Sequence, residues 1–267
     1  MRLRNTSTKR NSAFSIVSCS SRDHGARSRS PGRHREDPGI ARIHGYRHRF
    51  LRGRPISTAC SSSSHAIGQA FWIVRNAAAS MAITGGSEAV FSLGFLKAWE
   101  AMRVVSPDTC RPFSKDRRGL ILGEGAAKLV LEPIELCGPQ SPTPGCSPMI
   151  SATFNAHGTA TLANDAAKTT AIRKVFGGHA DRLAVSSTKS MHGHTLGAAG
   201  AIEAAATLLA LQHGVLPPTA NFTEPDPACD LDVIPNTARP AAVGFALSNS
   251  FAFGGLNAVL VFRRVET

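Results

Sequence analysis

Residues 57–70 read STACSSSSHAIGQA, in which a cysteine and a run of serines lead into an apolar pattern. Apolar residues recur at a helical spacing from Ile67 to Val74, so we predict a helix over residues 61–76. Cys60 lies directly before that helix, where free backbone amides and the helix dipole favour a thiolate. A nucleophile is one interpretation of Cys60, and a small buried cysteine is the other.

Downstream, short apolar runs alternate with helical patterns, which predicts an α/β layered fold. We expect helices in three further segments: 95–102, 165–176 and 195–213. We expect strands in five segments: 81–84, 149–154, 183–186, 243–248 and 258–262. Around GEGA we expect a hairpin of two strands, 120–122 and 128–131.

Residues 1–54 differ in composition from the rest of the chain. They hold 14 of the 30 Lys and Arg residues but 3 of the 18 Asp and Glu residues, so most of the net charge of +12 lies there. They show no apolar periodicity, and we expect this head to be disordered. Three interpretations stay open: an Arg-rich arm that binds RNA or DNA, a transit peptide, and a non-native translation of GC-rich DNA.

The cysteines and the hydropathy limit the class of protein. None of the six cysteines belongs to a CxxC pair or to a zinc-like spacing, so we expect free thiols in a reducing cytoplasm and no secretory signal. The most apolar run, 196–212, is rich in Ala and Gly and carries Glu203. We therefore expect a buried helix there rather than a membrane span.

Three histidines follow predicted strands, where side chains often carry chemistry in α/β folds. His157 lies in NAHGTAT, and His192 and His194 lie in TKSMHGH beside Lys189. Structural roles stay open for each, as does a metal-binding HxH pair, although no third ligand stands at a zinc spacing. Cys60 with a distant histidine is the general pattern of a thiol nucleophile and its helper, without saying which reaction follows.

Five segments taken together resemble the β-ketoacyl-acyl-carrier-protein synthases, elongating condensing enzymes of thiolase-like fold. They stand in the family's order: TACSSSSHAIG (58–68), RPFSKDRRGLILGEGA (111–126), NAHGTAT (155–161), SSTKSMHGHTLGAAGAIE (186–203) and LSNSFAFGGLNAVL (247–260). The segments GQAFWIVRNAA, FSLGFLKAWEAMRVV and PPTANF are similar in sequence to the nodulation-type members. The resemblance implies a layered α-β-α-β-α fold and covers residues 55 to about 135 and 151 to about 264.

The resemblance also implies a reaction, a decarboxylative Claisen condensation in fatty acid biosynthesis, with a nodulation-factor acyl chain as one possible product. Cys60 would take an acyl chain from acyl carrier protein, and malonyl-carrier protein would then supply the attacking carbon. The family needs no cofactor of its own, because 4'-phosphopantetheine arrives on the carrier, and it needs no metal. His157 and His194 would donate hydrogen bonds to the malonyl thioester oxygen.

Other residues receive roles from the same resemblance. Amides of Cys60 and Phe253 would form the oxyanion hole, and Phe251 and Phe253 would gate the acyl pocket. The remaining assignments are Lys189 beside His194, Thr159 and Thr161 near the pantetheine arm, and Glu203 as a supporting residue near an ion or water site. His192 replaces a Thr of the family pattern, so the catalytic match is His194.

The chain departs from the family in two large segments. We expect a shortened protein made of the head (1–54), the remainder of the N-terminal synthase half (55–136), a Pro-rich junction (137–150) that begins with CGPQSPTPGCSP, and the C-terminal half (151–267). Such losses would expose strand edges and remove part of the family's homodimer surface. Alternatives are an inactive remnant and a non-catalytic chain that binds nucleic acid through its head. Smaller departures are Ser114 for Asp, Arg118 for Asp and Lys168 for Glu.

Overall fold

The computed structural model describes residues 53–133 and 152–264, together with the backbone of four short strands before residue 50. The strands are β1 (Arg2–Leu3), β2 (Phe14–Ser21), β3 (Ile40–Ile43), β4 (Tyr46–Arg49), β5 (Ala82–Glu88), β6 (Gly125–Glu132), β7 (Ala152–Asn155), β8 (Ala184–Ser186), β9 (Val215–Leu216), β10 (Arg239–Pro240), β11 (Phe245–Ser250) and β12 (Ala258–Arg264). The α-helices are α1 (Ser62–Arg75), α2 (Leu93–Ala101), α3 (Leu162–Phe176), α4 (Lys189–His192) and α5 (Ala199–His213). Three 3-10 turns are Gly177–Arg182, Leu196–Ala198 and Pro227–Cys229.

Two sheets form the framework. The first has the order β1-β6-β5 and is antiparallel. The second has the order β2-β12-β11-β7-β8, in which β11, β7 and β8 run parallel and β12 pairs antiparallel with β11. Two small antiparallel pairs, β3 with β4 and β9 with β10, lie outside these sheets.

Helices α1 and α5 form a layer between the two sheets. Both contact β5 and β6 of the first sheet, and both contact β12 of the second. The core there is built from α1 side chains such as Ile67 and Phe71, from α5 side chains such as Leu208, and from Leu131 and Leu260 on the strands. Burial of this apolar surface is the main driving force for the layered arrangement.

The two central helices approach each other closely at Gly200. A Cβ atom there would lie 2.0 Å from the Ser64 Oγ and 2.9 Å from the Ser64 amide nitrogen. A hydrogen bond joins the two helices, because the Ala201 amide donates to Ser63 Oγ at 2.9 Å. The Ser64 hydroxyl lies 2.8 Å from that of Ser250 and so links α1 to β11. The serine run after Cys60 therefore serves the packing of α1 against α5.

Helix α3 covers the other face of the second sheet. Phe154 on β7 and Val185 on β8 point away from α5 and pack with Ile172 of α3 in a second core. Successive residues on a strand face opposite sides, so neighbouring Asn155 points back toward α5, where its Nδ2 donates to the Glu203 carbonyl oxygen at 3.4 Å. The described residues thus form four layers, and none of their helices covers the outer face of the first sheet, where Ile83 is 37% exposed.

Most predicted elements are present, with shifted bounds. The hairpin expected around GEGA is wrong, because residues 125–132 form one continuous strand that pairs with β5. Leu120 and Leu122 instead make single bridges to Val105 and His194. The structure also adds elements that local patterns did not predict: α4, β9 and β10.

The head contributes backbone to both sheets. β2 pairs antiparallel along β12, and β1 pairs with β6. An open strand edge presents unpaired amides and carbonyls to any chain that reaches it, which is the physical reason for pairing without an apolar pattern. These strands contradict the disorder that we expected for residues 1–54. The remaining head residues and the Pro-rich junction 137–150 lie outside the described residues, and the four-part domain division stays a prediction.

Candidate active site

Cys60 lies on a strained turn at the start of α1. Ala59 before it has a φ of +49°, a left-handed conformation that is uncommon for a residue with a Cβ. The Ser61 hydroxyl donates to the carbonyl oxygen of Leu256 at 2.7 Å. This bond ties the residue after Cys60 to the turn that follows β11, so both arms of the predicted oxyanion hole belong to one connected unit.

The environment of Cys60 is mostly apolar. It is 6% exposed and packs in a small core that includes Trp99, Leu122 and Leu196. Burial raises the pKa of the Cys60 thiol, and the positive charge of Lys189 opposes that shift. The expectation that the helix start lowers this pKa is therefore wrong, because the loss of solvation is the larger effect.

His157 and His194 are brought together from separate elements. His157 follows β7, and its amide donates to the Asn249 Oδ1 at 3.0 Å. The His194 amide donates to the carbonyl oxygen of Ile121 at 2.7 Å. The two ring centroids lie 5.3 Å apart, with the ring planes perpendicular.

Both rings are neutral at physiological pH. Burial, reinforced by the positive charge of Lys189, lowers the pKa of His157 and of His194 well below the usual value. A neutral imidazole carries one N–H and one acceptor nitrogen. The Nδ1 atoms of both rings are buried and have no hydrogen-bond partner among the described residues. Each ring can therefore present one donor to a substrate oxygen.

Lys189 is the charge that links the site. Its side chain is fully buried and makes an ion pair with Glu203, which is also fully buried. Its positive charge acts on Cys60, His157 and His194 alike. The structure therefore places the predicted supporting pair, Lys189 and Glu203, within electrostatic reach of all three predicted reacting side chains.

Leu122 lies between Cys60 and the histidine pair. Leu122 belongs to the same small core as Cys60 and forms a single backbone bridge to His194. With the His157–His194 contact, this brings the five predicted residues Cys60, His157, Lys189, His194 and Glu203 into one buried centre.

Three oxygen atoms near Glu203 have no hydrogen-bond partner among the described residues: Glu203 Oε2, Asn155 Oδ1 and Ser248 Oγ. Asn155 and Ser248 are register partners on β7 and β11, so their side chains share the face that looks toward α5. Such oxygens are satisfied by a water molecule or a hard cation. In the described part of the chain, no group of three or more His, Cys, Asp or Glu side chains is placed to hold a metal ion.

The turn after β11 carries the predicted gate. The Phe251 ring lies 5.9 Å from the His157 ring, whereas Phe253 is 67% exposed and lies 6.4 Å from Trp99. Gly254 and Gly255 have φ values of +83° and +81°, conformations that favour glycine and let the chain reverse here. Trp99 is a residue that the motifs missed, and only its place in a predicted helix signalled it.

The two predicted pantetheine-binding threonines lie beside His157. Their hydroxyl oxygens, Thr159 Oγ1 and Thr161 Oγ1, are 3.0 Å apart; Thr159 is buried and Thr161 half-buried. His192 stands apart from the histidine pair: its Nε2 lies 3.1 Å from the Thr188 Oγ1, and burial lowers its pKa to about 4.

Two family models match the sequence in succession. One describes the N-terminal domain of β-ketoacyl synthases, over residues 52–136, and the other the C-terminal domain, over residues 145–223. The chain belongs to the β-ketoacyl synthase family. This family consists of condensing enzymes of the acyltransferase type. The predicted thiolase-like fold is confirmed by a TM-score of 0.71 to a solved β-ketoacyl synthase.

Relatives of known name support the assignment. Nodulation protein E from a Rhizobium species is 48% identical over 79% of this chain. The 3-oxoacyl-acyl-carrier-protein synthase 2 of Synechocystis is 40% identical over 78% of it. A solved β-ketoacyl synthase from Burkholderia phymatum superposes on 79% of the chain with a TM-score of 0.71 and 35% identity, and the chain covers 61% of that structure. The chain likewise spans 61% of the length of the two named relatives.

No helix in the described residues combines the length and the apolar character that crossing a membrane requires.

Proposed function

We propose that this β-ketoacyl synthase chain catalyses a decarboxylative condensation between an acyl group on Cys60 and malonyl-carrier protein. The observation that carries the proposal is the buried centre in which Lys189 acts on one thiol and two neutral imidazoles. A thiol beside two uncharged N–H donors suits thioester exchange followed by stabilisation of an enolate. The named relatives support the carrier protein as partner, since one of them is a synthase of that name.

The first half-reaction transfers the acyl chain. The Cys60 sulfur attacks the thioester carbonyl of the acyl carrier, the carrier's C–S bond breaks, and the leaving carrier thiolate takes up the proton that Cys60 loses. The backbone amides of Cys60 and Phe253 receive the developing oxyanion. The charge of Lys189 favours the thiolate that this step requires.

The second half-reaction forms the carbon–carbon bond. Malonyl-carrier protein binds with its pantetheine arm along Thr159 and Thr161, and its thioester oxygen accepts hydrogen bonds from His157 and His194. Carbon dioxide leaves with the electron pair of its bond passing into an enolate, whose oxygen those two N–H groups stabilise. The enolate carbon then attacks the acyl-Cys60 carbonyl carbon, and the bond between that carbon and Cys60 Sγ breaks. The 3-oxoacyl carrier product is released, and Cys60 leaves as a thiolate that takes a proton from solvent.

The experiment that tests the proposal weighs the intact protein after incubation with acyl-carrier protein. Acylation adds the mass of one acyl group less one proton, and Cys60→Ala abolishes the adduct. The matched control is Cys229→Ala, another buried cysteine. An adduct that survives in Cys60→Ala contradicts Cys60 as the nucleophile. Folded protein that takes no acyl group contradicts the proposal and supports the inactive remnant. The alternative function, nucleic-acid binding, depends on side chains of the head that lie outside the described residues. No contact among the described residues supports it.

A further inference from the structure

Helix α3 carries a buried lysine that the condensation does not use. Lys168 is 3% exposed. Its Nζ lies 4.0 Å from the ring centroid of Phe251 and 4.8 Å from that of Phe154. Within the described ranges, these two ring faces, rather than a carboxylate, are what the ammonium packs against.

A buried ammonium is unfavourable unless other groups compensate for its lost hydration. Burial lowers the pKa of Lys168 well below the usual value; the charge of Lys189 adds to this shift and that of Glu203 opposes it. The faces of aromatic rings attract a cation, most strongly where water is excluded. The two ring faces favour the charged form and so oppose the lowering of the Lys168 pKa. The attraction is mutual, so the ammonium also restrains the ring that it lies over.

The restrained ring belongs to the reacting centre. Phe251 lies 5.9 Å from His157 and begins the turn whose far end, at Leu256, is bonded to Ser61 beside Cys60. Phe251 is half-buried, so it borders both the core and the space around the site. Movement of this ring would change the room next to His157 without disturbing the ion pair of Lys189 with Glu203.

We propose that Lys168 is a positioning residue, which holds the Phe251 ring against His157 through a cation–π contact and thereby limits the access of long apolar chains to Cys60. This inference rests on the proposed function and on the gating role that the family resemblance implies for Phe251. Lys168 itself touches no reacting atom in this scheme. Its steric effect passes through the Phe251 ring, while its charge separately helps to lower the pKa of His157.

The test compares how fast Cys60 is alkylated by iodoacetamide and by a long-chain N-alkylmaleimide, followed by mass spectrometry of the peptide that contains Cys60. Lys168→Met keeps the apolar stem but removes the charge, so the maleimide rate relative to the iodoacetamide rate should rise about five-fold. Lys168→Arg retains a cation that stacks on rings and should restore the ratio of the parent protein. Lys174→Met, on the exposed side of the same helix, is the matched control and should leave the ratio unchanged.

Repeating the Lys168→Met substitution in a Phe251→Leu protein shows whether Lys168 acts through Phe251. In Phe251→Leu the ring is gone, so adding Lys168→Met should change the ratio no further. An unchanged ratio in Lys168→Met alone, or an equal rise in both backgrounds, would overturn the proposal. Circular dichroism of each variant identifies one that fails to fold. If Lys168→Met does so, Lys168→Gln, which also lacks the charge, replaces it in both backgrounds.

Alkylation requires neither a carrier protein nor acyl transfer. A chain that takes no acyl group but shows the Lys168 dependence would contradict the proposed function alone. Where condensation is measurable, Lys168→Met should change the KM for long-chain acyl carriers more than the KM for short-chain ones. A purely structural role for Lys168 would change both KM values alike.

Discussion

The imidazole rings of His157 and His194 lie 5.3 Å apart between centroids and stand perpendicular to one another. One follows a strand of the second sheet and the other follows α4, so this contact exists only in the folded chain. Both rings are kept neutral by burial and by Lys189. Two uncharged donors that converge on one oxygen stabilise an enolate without forming an ion pair with the malonyl carboxylate.

Replacement of His194 by Asn should impair decarboxylation more than thiol acylation. Loss of one preorganised donor at a developing oxyanion costs about 10²–10³ in rate. The measurement is carbon dioxide release from malonyl-carrier protein, with Cys60 acylation followed separately by mass. His192→Asn is the matched control, since its ring lies beside Thr188 rather than His157. Equal losses in both variants would show that the effect comes from altered folding of this segment.

The Cys60 thiol should ionise at higher pH than an exposed cysteine. Burial raises its pKa, so the thiolate fraction at neutral pH is lower than that of a free cysteine, whose pKa is about 8.5. The rate of Cys60 alkylation by iodoacetamide should therefore keep rising above that pH. Limited access of the reagent slows alkylation at every pH and does not move the midpoint of the pH–rate curve. A shifted midpoint therefore shows a raised pKa, and an unshifted one shows limited access. The same peptide in urea gives the reference, and coincident midpoints would contradict the buried environment.

The parts of the fold that the sequence predicted are those set by local spacing. The helix after Cys60 and the strands before His157 and Lys189 have apolar patterns that neighbouring residues suffice to define. The hairpin at GEGA was wrong because β6 pairs with β5 across about 40 residues, which no local pattern reveals. Backbone pairing also brought β2 into the second sheet without an apolar rhythm.

In the candidate site, too, the local sequence predicted some features and long-range packing decided others. Ordered motifs predicted its reacting residues, whereas the direction of the Cys60 pKa shift depends on Trp99, Leu122 and Leu196, which pack around the thiol from three other segments. Lys168 stood out in the sequence only as a changed charge. That its ammonium lies on the Phe251 ring follows from the packing of α3 on the second sheet.

Replacement of Gly200 by Ala should destabilise the protein, because the new Cβ would lie 2.0 Å from the Ser64 Oγ and force the two central helices apart. Overpacking of this kind typically costs about 1–3 kcal/mol. Urea denaturation followed by circular dichroism measures the loss. Gly178→Ala is the matched control, since nothing lies within 4 Å of a Cβ there. Ser64→Ala should rescue Gly200→Ala only in part, because the Ser64 amide nitrogen remains 2.9 Å away.

Acid should destabilise the protein before its carboxylates titrate. The pKa values of His157 and His194 are lowered in the folded state, so the unfolded chain binds protons that the folded chain excludes. Stability is therefore fully present above the unfolded histidine pKa of about 6.5 and is lost as the pH falls below it, by up to ~1.4 kcal/mol per pH unit for each ring. Carboxylates with lowered pKa, such as Asp232, act in a lower window, near and below the unfolded value of about 3.9. Between pH 7 and pH 5 the urea midpoints report on the histidines together with Lys168, whose pKa is lowered, and with Asp165 and Glu203, whose pKa values are raised. The contribution of His157 is therefore read from the difference between a variant and the parent protein. His157→Gln should flatten that slope, whereas His213→Gln, at the exposed end of α5, should leave it as in the parent protein. A slope that His157→Gln leaves unchanged would mean that the folded His157 accepts a proton as readily as the unfolded one, and the neutral donor assigned to it would be lost.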